Sequence, residues 1–162
     1  RAADVGVPAG LIAAARAVNR SMPSHVAGVL SDLMWSSGVP AGEAKVLLLG
    51  WSYKAEVGDP RETPAELLAE TLISKGIQIG AWDPHIDSNA YPEEIEVISN
   101  LDEAIGYDIA VLVTAHKACM HLDWSELLSQ MRTPLIYDGR RVLDLDGLKE
   151  MGWKAYAVGK PV

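Results

Sequence analysis

Residues Lys45–Pro64 read KVLLLGWSYKAEVGDPRETP, and this stretch decides the fold. Val46, Leu47, Leu48 and Leu49 form a short, unbroken apolar run, the pattern of a strand covered on both faces. Gly50 breaks the run into a long polar loop. The chain restarts as helix at Pro64, where Thr63 and Glu66 have capping-box spacing and proline suits the first helical position. Strand, loop and helix in this order open a parallel α/β sheet, in which ligands bind in the crevice beyond the carboxyl ends of the strands. Lys54 and Arg61 stand in that loop, whose backbone amides, with the following helix N-terminus, suit an anion.

Downstream, the pattern alternates. The helix runs through Leu67, Leu68, Leu72 and Ile73 to Lys75, and Gly76 ends it. Ile77 to Trp82 reads as a strand, stopped by Asp83-Pro84. Glu96 to Ser99 is a short strand, and Asn100 with Glu103 offers a second capping box before a brief helix ending near Gly106. Asp108 to Thr114 is a near-continuous apolar run and so a strand with both faces covered. Trp124 to Met131 is a helix capped by Asp123, Leu135 to Tyr137 a strand, Leu145 to Met151 a short helix, and Ala155 to Val158 the last strand. Strands alternating with helices predict an α/β fold, a doubly wound parallel sheet with helices on both sides.

Upstream, residues 8–37 read as helix in two parts. Pro8 suits a first helical position, and Leu11, Ile12, Ala15, Val18 and Met22 recur at helical spacing. Pro23 is expected to kink or restart the helix. Beyond it Val26, Val29, Leu30, Leu33 and Met34 make one apolar face, and Gly38 stops it. That stripe packs across the sheet edge, or it meets further chain or a second subunit. Val39 to Ala44 is a turn-rich linker, which divides the chain into 1–43 and a sheet domain, 44–162.

The length of 162 residues suggests one domain with an appendage. No apolar run approaches the ~18 residues of a membrane span, and no signal-peptide pattern is visible. A chain that starts at Arg1 without methionine is expected to be a piece of something longer. The single cysteine, Cys119, cannot form an internal disulfide, which points to a reducing, cytoplasmic setting. Fourteen basic against 22 acidic side chains give a net charge of −8, which argues against nucleic acid or an anionic membrane as partner. A phosphorylated small ligand needs only a few local cations.

Those cations are available. Residues just after the first, second, fourth and fifth strands should share one rim: Tyr53, Lys54 and Arg61; Asp83; Thr114 and His116; Asp138, Gly139, Arg140 and Arg141. The first loop is not a dinucleotide fingerprint, because G-x-G-x-x-G is absent and seven residues separate Gly50 from Gly58. Without those glycines, Asp83 reads as a turn-forming Asp-Pro residue rather than a ribose ligand. His116, Cys119 and His121 have the residue types of a metal site, but three ligands in six residues reach one ion only from an irregular loop. A loop thiol with two surface histidines is the reading preferred, and no metal is expected.

The stretch GWSYKAEVGDPRETP resembles the opening of the C-terminal, UDP-sugar-binding domain in the UDP-glucose/GDP-mannose dehydrogenase family. ARAVNRSMPSHV upstream is similar to the branch acting on UDP-N-acetylmannosamine or UDP-N-acetylglucosamine, and YDGRR at 137–141 extends the likeness. The resemblance implies a Rossmann-like domain preceded by the end of a long helix that links two nucleotide-binding domains and builds a homodimer. It implies that Tyr53 and Lys54 bind the UDP-sugar, that Arg140 contacts its anionic part, and that Arg61 reaches NAD held by the other domain. It further implies a C6 alcohol oxidised to a uronic acid, for surface polysaccharide, in two NAD-dependent steps through a cysteine far upstream of this match. Pro60 stands where the family usually has threonine, and Trp51 where a smaller apolar residue is common. On this reading the chain alone has no catalytic residue and does not turn over. The alternatives are a stand-alone nucleotide-binding or regulatory module, and a metal-dependent hydrolase built on the His/Cys loop.

Overall fold

In the computed structural model, which describes residues 10–159, Lys45–Leu49 forms strand β1, and its side chains alternate between two cores. Val46 and Leu48 enter one core, Leu47 and Leu49 the other, and all four are fully buried. The alternation recurs in β4 (Ile109–Leu112) and β5 (Leu135–Asp138): Ile109, Val111, Leu135 and Tyr137 face one way, Ala110, Leu112 and Ile136 the other. The period of two fixes the register, since a one-residue slip would exchange both faces.

The other strands are β2 (Gln78–Trp82), β3 (Glu96–Val97) and β6 (Lys154–Ala157). All pairings are parallel, and the order across the sheet is β3-β2-β1-β4-β5-β6. The chain winds outward from β1 to β3, crosses back to β4 and winds outward again to β6. The junction of β1 with β4 is therefore the switch point, and every strand's carboxyl end lies on one edge of the sheet.

Helices α1 (Gly10–Ser36) and α2 (Pro64–Ile73) cover the first core. Ala27, Leu30, Leu33 and Met34 of α1 join Ala65, Leu68, Ala69 and Leu72 of α2 there. Helices α3 (Lys117–Met120), α4 (Trp124–Gln130) and α5 (Leu145–Glu150) cover the second, with Cys119, Leu127, Leu145, Leu148 and Trp153. Helices on both faces are what the apolar strands required.

Two expectations need correction. Helix α1 runs unbroken through Pro23 instead of restarting there. Proline deprives the carbonyl four residues back of its partner, but that residue, Asn19, is solvent-exposed, so water can serve it, while the Pro23 ring is buried. The downstream half of α1 packs on α2, and the upstream half leaves Leu11, Ile12 and Val18 exposed. Pro8 lies outside the described residues. Second, the helix expected after Asn100 is only a 3-10 turn, Leu101–Glu103, held by the Asn100 side chain on Asp102 N. Gly38 ends α1 at a φ of 83°, as its position suggested.

Candidate functional site

The loop from Gly50 to Thr63 closes over the switch point. Gly50 has a φ of 92°, and a Cβ built on it would lie 2.6 Å from both the Cβ and the carbonyl oxygen of Thr114. Only glycine allows the tails of β1 and β4 to meet that closely. Thr114 Oγ1 then donates to the Ser52 carbonyl at 2.6 Å.

Asp83, at the tip of β2, anchors this arrangement. Its Oδ2 accepts Trp51 N and Ser52 N, both at 2.7 Å, and Ser52 Oγ at 2.8 Å, and faces His116 Nε2 at 3.0 Å. Its Oδ1 accepts His85 N at 2.8 Å. The local bond to His85 is the Asp-Pro turn read from the sequence; three of the others join the tail of neighbouring β1, and the one to His116 reaches across the switch point. Burial works to raise the Asp83 carboxyl, but the donors from His85, Ser52 and Trp51 outweigh it and hold it below the ordinary range.

His116 continues the chain of bonds. Its Nδ1 lies 3.0 Å from Glu56 N, which can only donate, so Nδ1 is the acceptor and Nε2 carries the proton toward Asp83. Glu56 sits at a φ of 62°, a left-handed conformation that a side chain other than glycine rarely takes. Its carboxylate accepts Lys117 N at 2.8 Å, and that bond is the main reason its pKa is lowered.

Glu56, His85 and His116 bring three potential ligand atoms within 4.8 Å of one another. They do not fit a metal as arranged, because both nitrogens of His116 are already committed, one to Glu56 N and one to Asp83. The set considered from sequence, His116 with Cys119 and His121, is not a cluster of surface groups. His116 and Cys119 are fully buried and only His121 is exposed. Short helix α3 turns Cys119 inward, and burial pushes its thiol up to about 11.

The cations take positions along the same edge. Tyr53 and Lys54 are exposed on the β1–α2 loop, with Lys54 Nζ 5.8 Å from the centroid of the Tyr53 ring. Arg140, exposed after β5, donates from Nε to the Val113 carbonyl at the tip of β4. The tips of β1, β4 and β5 are thus joined through consecutive residues, Ser52 to Thr114 and Val113 to Arg140. Among the described residues, Lys54, Arg140 and Arg141 have no ion-pair partner. Arg61 differs: its guanidinium pairs with Asp59 at 2.7 Å in the same loop, and that bond lowers Asp59 to about 2.

Several backbone amides on this edge are claimed by the protein's own groups. At the start of α2, Pro64 has no N–H and Thr63 Oγ1 accepts Ala65 N, so these two positions offer an anion no donor. After β5, the Asp138 carboxylate accepts the N–H groups of Arg140, Arg141, Val142 and Leu143. Sequence reasoning placed Asp83, Thr114, His116 and Asp138 on the rim but missed that they bind the loops themselves, and it missed Glu56 entirely.

Strand order, switch point and cationic edge define a Rossmann-type nucleotide-binding domain whose first loop is not built for a dinucleotide. The model of the UDP-glucose/GDP-mannose dehydrogenase family, UDP binding domain, matches residues 47–145, and the chain belongs to that family. It is 31% identical over 156 residues, or 93% of its length, to a UDP-N-acetyl-D-mannosamine dehydrogenase of Methanococcus maripaludis, covering 35% of that protein. It is 30% identical over 89% of its length to a UDP-glucose 6-dehydrogenase of Rickettsia conorii, covering 34% of it. The crystal structure of an NDP-N-acetyl-D-galactosaminuronic acid dehydrogenase from Methanosarcina mazei superposes on 91% of the chain with a TM-score of 0.81 and 26% identity, over 31% of that protein. The chain spans about a third of the length of these relatives.

Proposed function

We propose that this chain is the UDP-sugar-binding part of an NAD-dependent UDP-N-acetylhexosamine 6-dehydrogenase. The whole enzyme oxidises the C6 alcohol to a uronic acid in two hydride transfers, a cytoplasmic step toward surface polysaccharide. Residues 1–43 are the end of the connecting helix with its linker, and the exposed Leu11, Ile12 and Val18 support a homodimer formed through it. NAD is held mainly by a domain outside this chain, with Arg61 reaching toward it. The chain itself carries neither the glycine fingerprint nor the nucleophile motif, so it binds and orients the substrate without turning it over.

The observation that carries this reading is the pair of exposed cations, Lys54 and Arg140, on loops tied together at the β4 tip and without a carboxylate partner among the described residues. A diphosphate bridging the tails of β1 and β5 would meet both. Tyr53, exposed beside Lys54, offers a ring to the base or sugar.

Calorimetric titration of the chain with UDP, UDP-N-acetylmannosamine and NAD tests the proposal. Binding of the two uridine ligands and not of NAD is expected. Lys54→Ala and Arg140→Ala should each remove a charge-assisted bond of about 1.5–3 kcal/mol, a loss of roughly 10- to 100-fold in affinity. Variants that bind UDP as tightly as the parent chain would refute the assignment of the rim.

A further inference from the structure

We infer that His116 is a positioning residue: in its neutral form it latches the middle of the β1–α2 loop, and a proton on its Nδ1 releases the latch. The inference rests on the reading of that loop as the UDP-sugar site.

The loop is long, and its cationic segment has little apolar anchorage. Trp51 and Ser52 are buried, whereas residues 53–58 are all exposed. Four contacts hold that exposed segment, one within the loop and three to the residues beneath it. Tyr53 N donates to Asp59 O at 2.8 Å, within the loop. Gly58 lies so close to the His85 carbonyl that a Cβ there would sit 2.4 Å from its oxygen. Between them, Glu56 N donates to His116 Nδ1 at 3.0 Å, and Glu56 returns a carboxylate to Lys117 N at 2.8 Å.

Of these, the His116 bond depends on protonation state. His116 is fully buried, and the groups facing its ring are Asp83 from β2, Glu56 from the loop, His85 at 4.9 Å between ring centroids, and its neighbour Lys117. Asp83 accepts the hydrogen bond from Nε2–H, which leaves the Nδ1 lone pair to accept from Glu56 N–H. A second proton, on Nδ1, would set one donor against another at the same 3.0 Å, and the left-handed Glu56 backbone would lose what holds it. The Glu56 carboxylate, 3.8 Å from Nδ1, would then be drawn to the imidazolium and away from Lys117 N. Lys54, two residues before Glu56, moves with the segment.

Two substitutions separate the roles of the ring nitrogens. His116→Asn places an oxygen near the Nδ1 position and keeps an acceptor for Glu56 N. His116→Gln places a donor near Nε2, keeps the bond to Asp83 and removes the acceptor. A merely structural requirement to satisfy Asp83 would favour glutamine; the latch favours asparagine. Circular dichroism establishes that both variants are folded.

The first readout is hydrogen exchange at the Glu56 amide, expected to be protected in the parent chain and in His116→Asn and unprotected in His116→Gln. The second is calorimetric affinity for UDP-N-acetylglucosamine, whose pyrophosphate diester has no ionisation near neutrality. His116→Gln should bind roughly 5- to 10-fold more weakly, the value of one hydrogen bond. His116→Asn should bind within about twofold of the parent. Where acid places the second proton on Nδ1, affinity should fall in the parent chain and hold in His116→Asn. Equal protection in both variants, or an acid response that persists in His116→Asn, would overturn the inference. A parent chain that shows the exchange pattern but binds no UDP-sugar would support the latch and overturn only the nucleotide assignment.

Discussion

Asp83→Asn is the most direct test of how the rim is built. Asparagine keeps one acceptor oxygen. Placed at the Oδ2 position, that oxygen retains Trp51 N, Ser52 N, Ser52 Oγ and His116 Nε2 as partners. The new amide NH2 then faces His85 N–H, which loses its acceptor. An unsatisfied donor costs about 1–3 kcal/mol. The four remaining bonds change from charge-assisted to neutral, a difference of about 1–1.5 kcal/mol for one bond. They share one oxygen, so their losses do not add. The sum is a destabilisation of about 2–4 kcal/mol, which lowers Tm by about 5–15 °C in a chain of this size. Urea unfolding at neutral pH reads the difference.

The pH dependence gives the sign independently. Because the folded Asp83 carboxyl lies below its ordinary 3.8, its contribution is complete above that value and is lost as pH falls through the lower folded one. The gap between parent and variant should therefore be widest near neutrality and narrow below about pH 4. A variant within 1 kcal/mol of the parent at neutral pH, or a gap that does not close in acid, would refute Asp83 as the anchor.

Two further outcomes follow from the same packing. Gly50→Ala adds a Cβ 2.6 Å from Thr114 at a φ of 92°, and should cost about 2–4 kcal/mol in thermal or urea unfolding, with the loss concentrated at the rim. Near-parental stability would show that the β1 and β4 tails separate easily. Cys119, fully buried with its thiol raised to about 11, should react with an aromatic disulfide reagent only after denaturant is added. Rapid stoichiometric labelling of the native chain would contradict the burial of α3.

The strands were legible in the sequence because their signal is local. Leu47, Leu48 and Leu49, or Ile109 to Leu112, are apolar whichever partner they meet, and a run covered on both faces leaves few alternatives. The caps at Asp123 and Asn100 are local as well, each a side chain reaching the backbone two residues on. What escaped was set by contacts across the fold. Asp83 meets Trp51 and Ser52 from more than 30 residues away, and His116 meets Glu56 from 60. HKACMH reads as surface because it is polar on average, but four helical residues suffice to turn Cys119 inward. A left-handed Glu56 has no signature without glycine.

These missed residues share one physical role. At four of the loops on this edge the anion that meets the backbone N–H groups is the protein's own carboxylate: Asp83 on residues 51, 52 and 85, Asp138 on residues 140–143, Glu56 on residue 117. At the start of α2 a hydroxyl, Thr63, takes the Ala65 amide. The internal carboxylates order the loops before any ligand arrives, which spares part of the entropy cost of binding. They also spend their charge inward, so Lys54 and Arg140 are presented outward without a competing acid beside them. Recognition of a diphosphate by these two exposed cations should weaken with salt as exposed ionic contacts do.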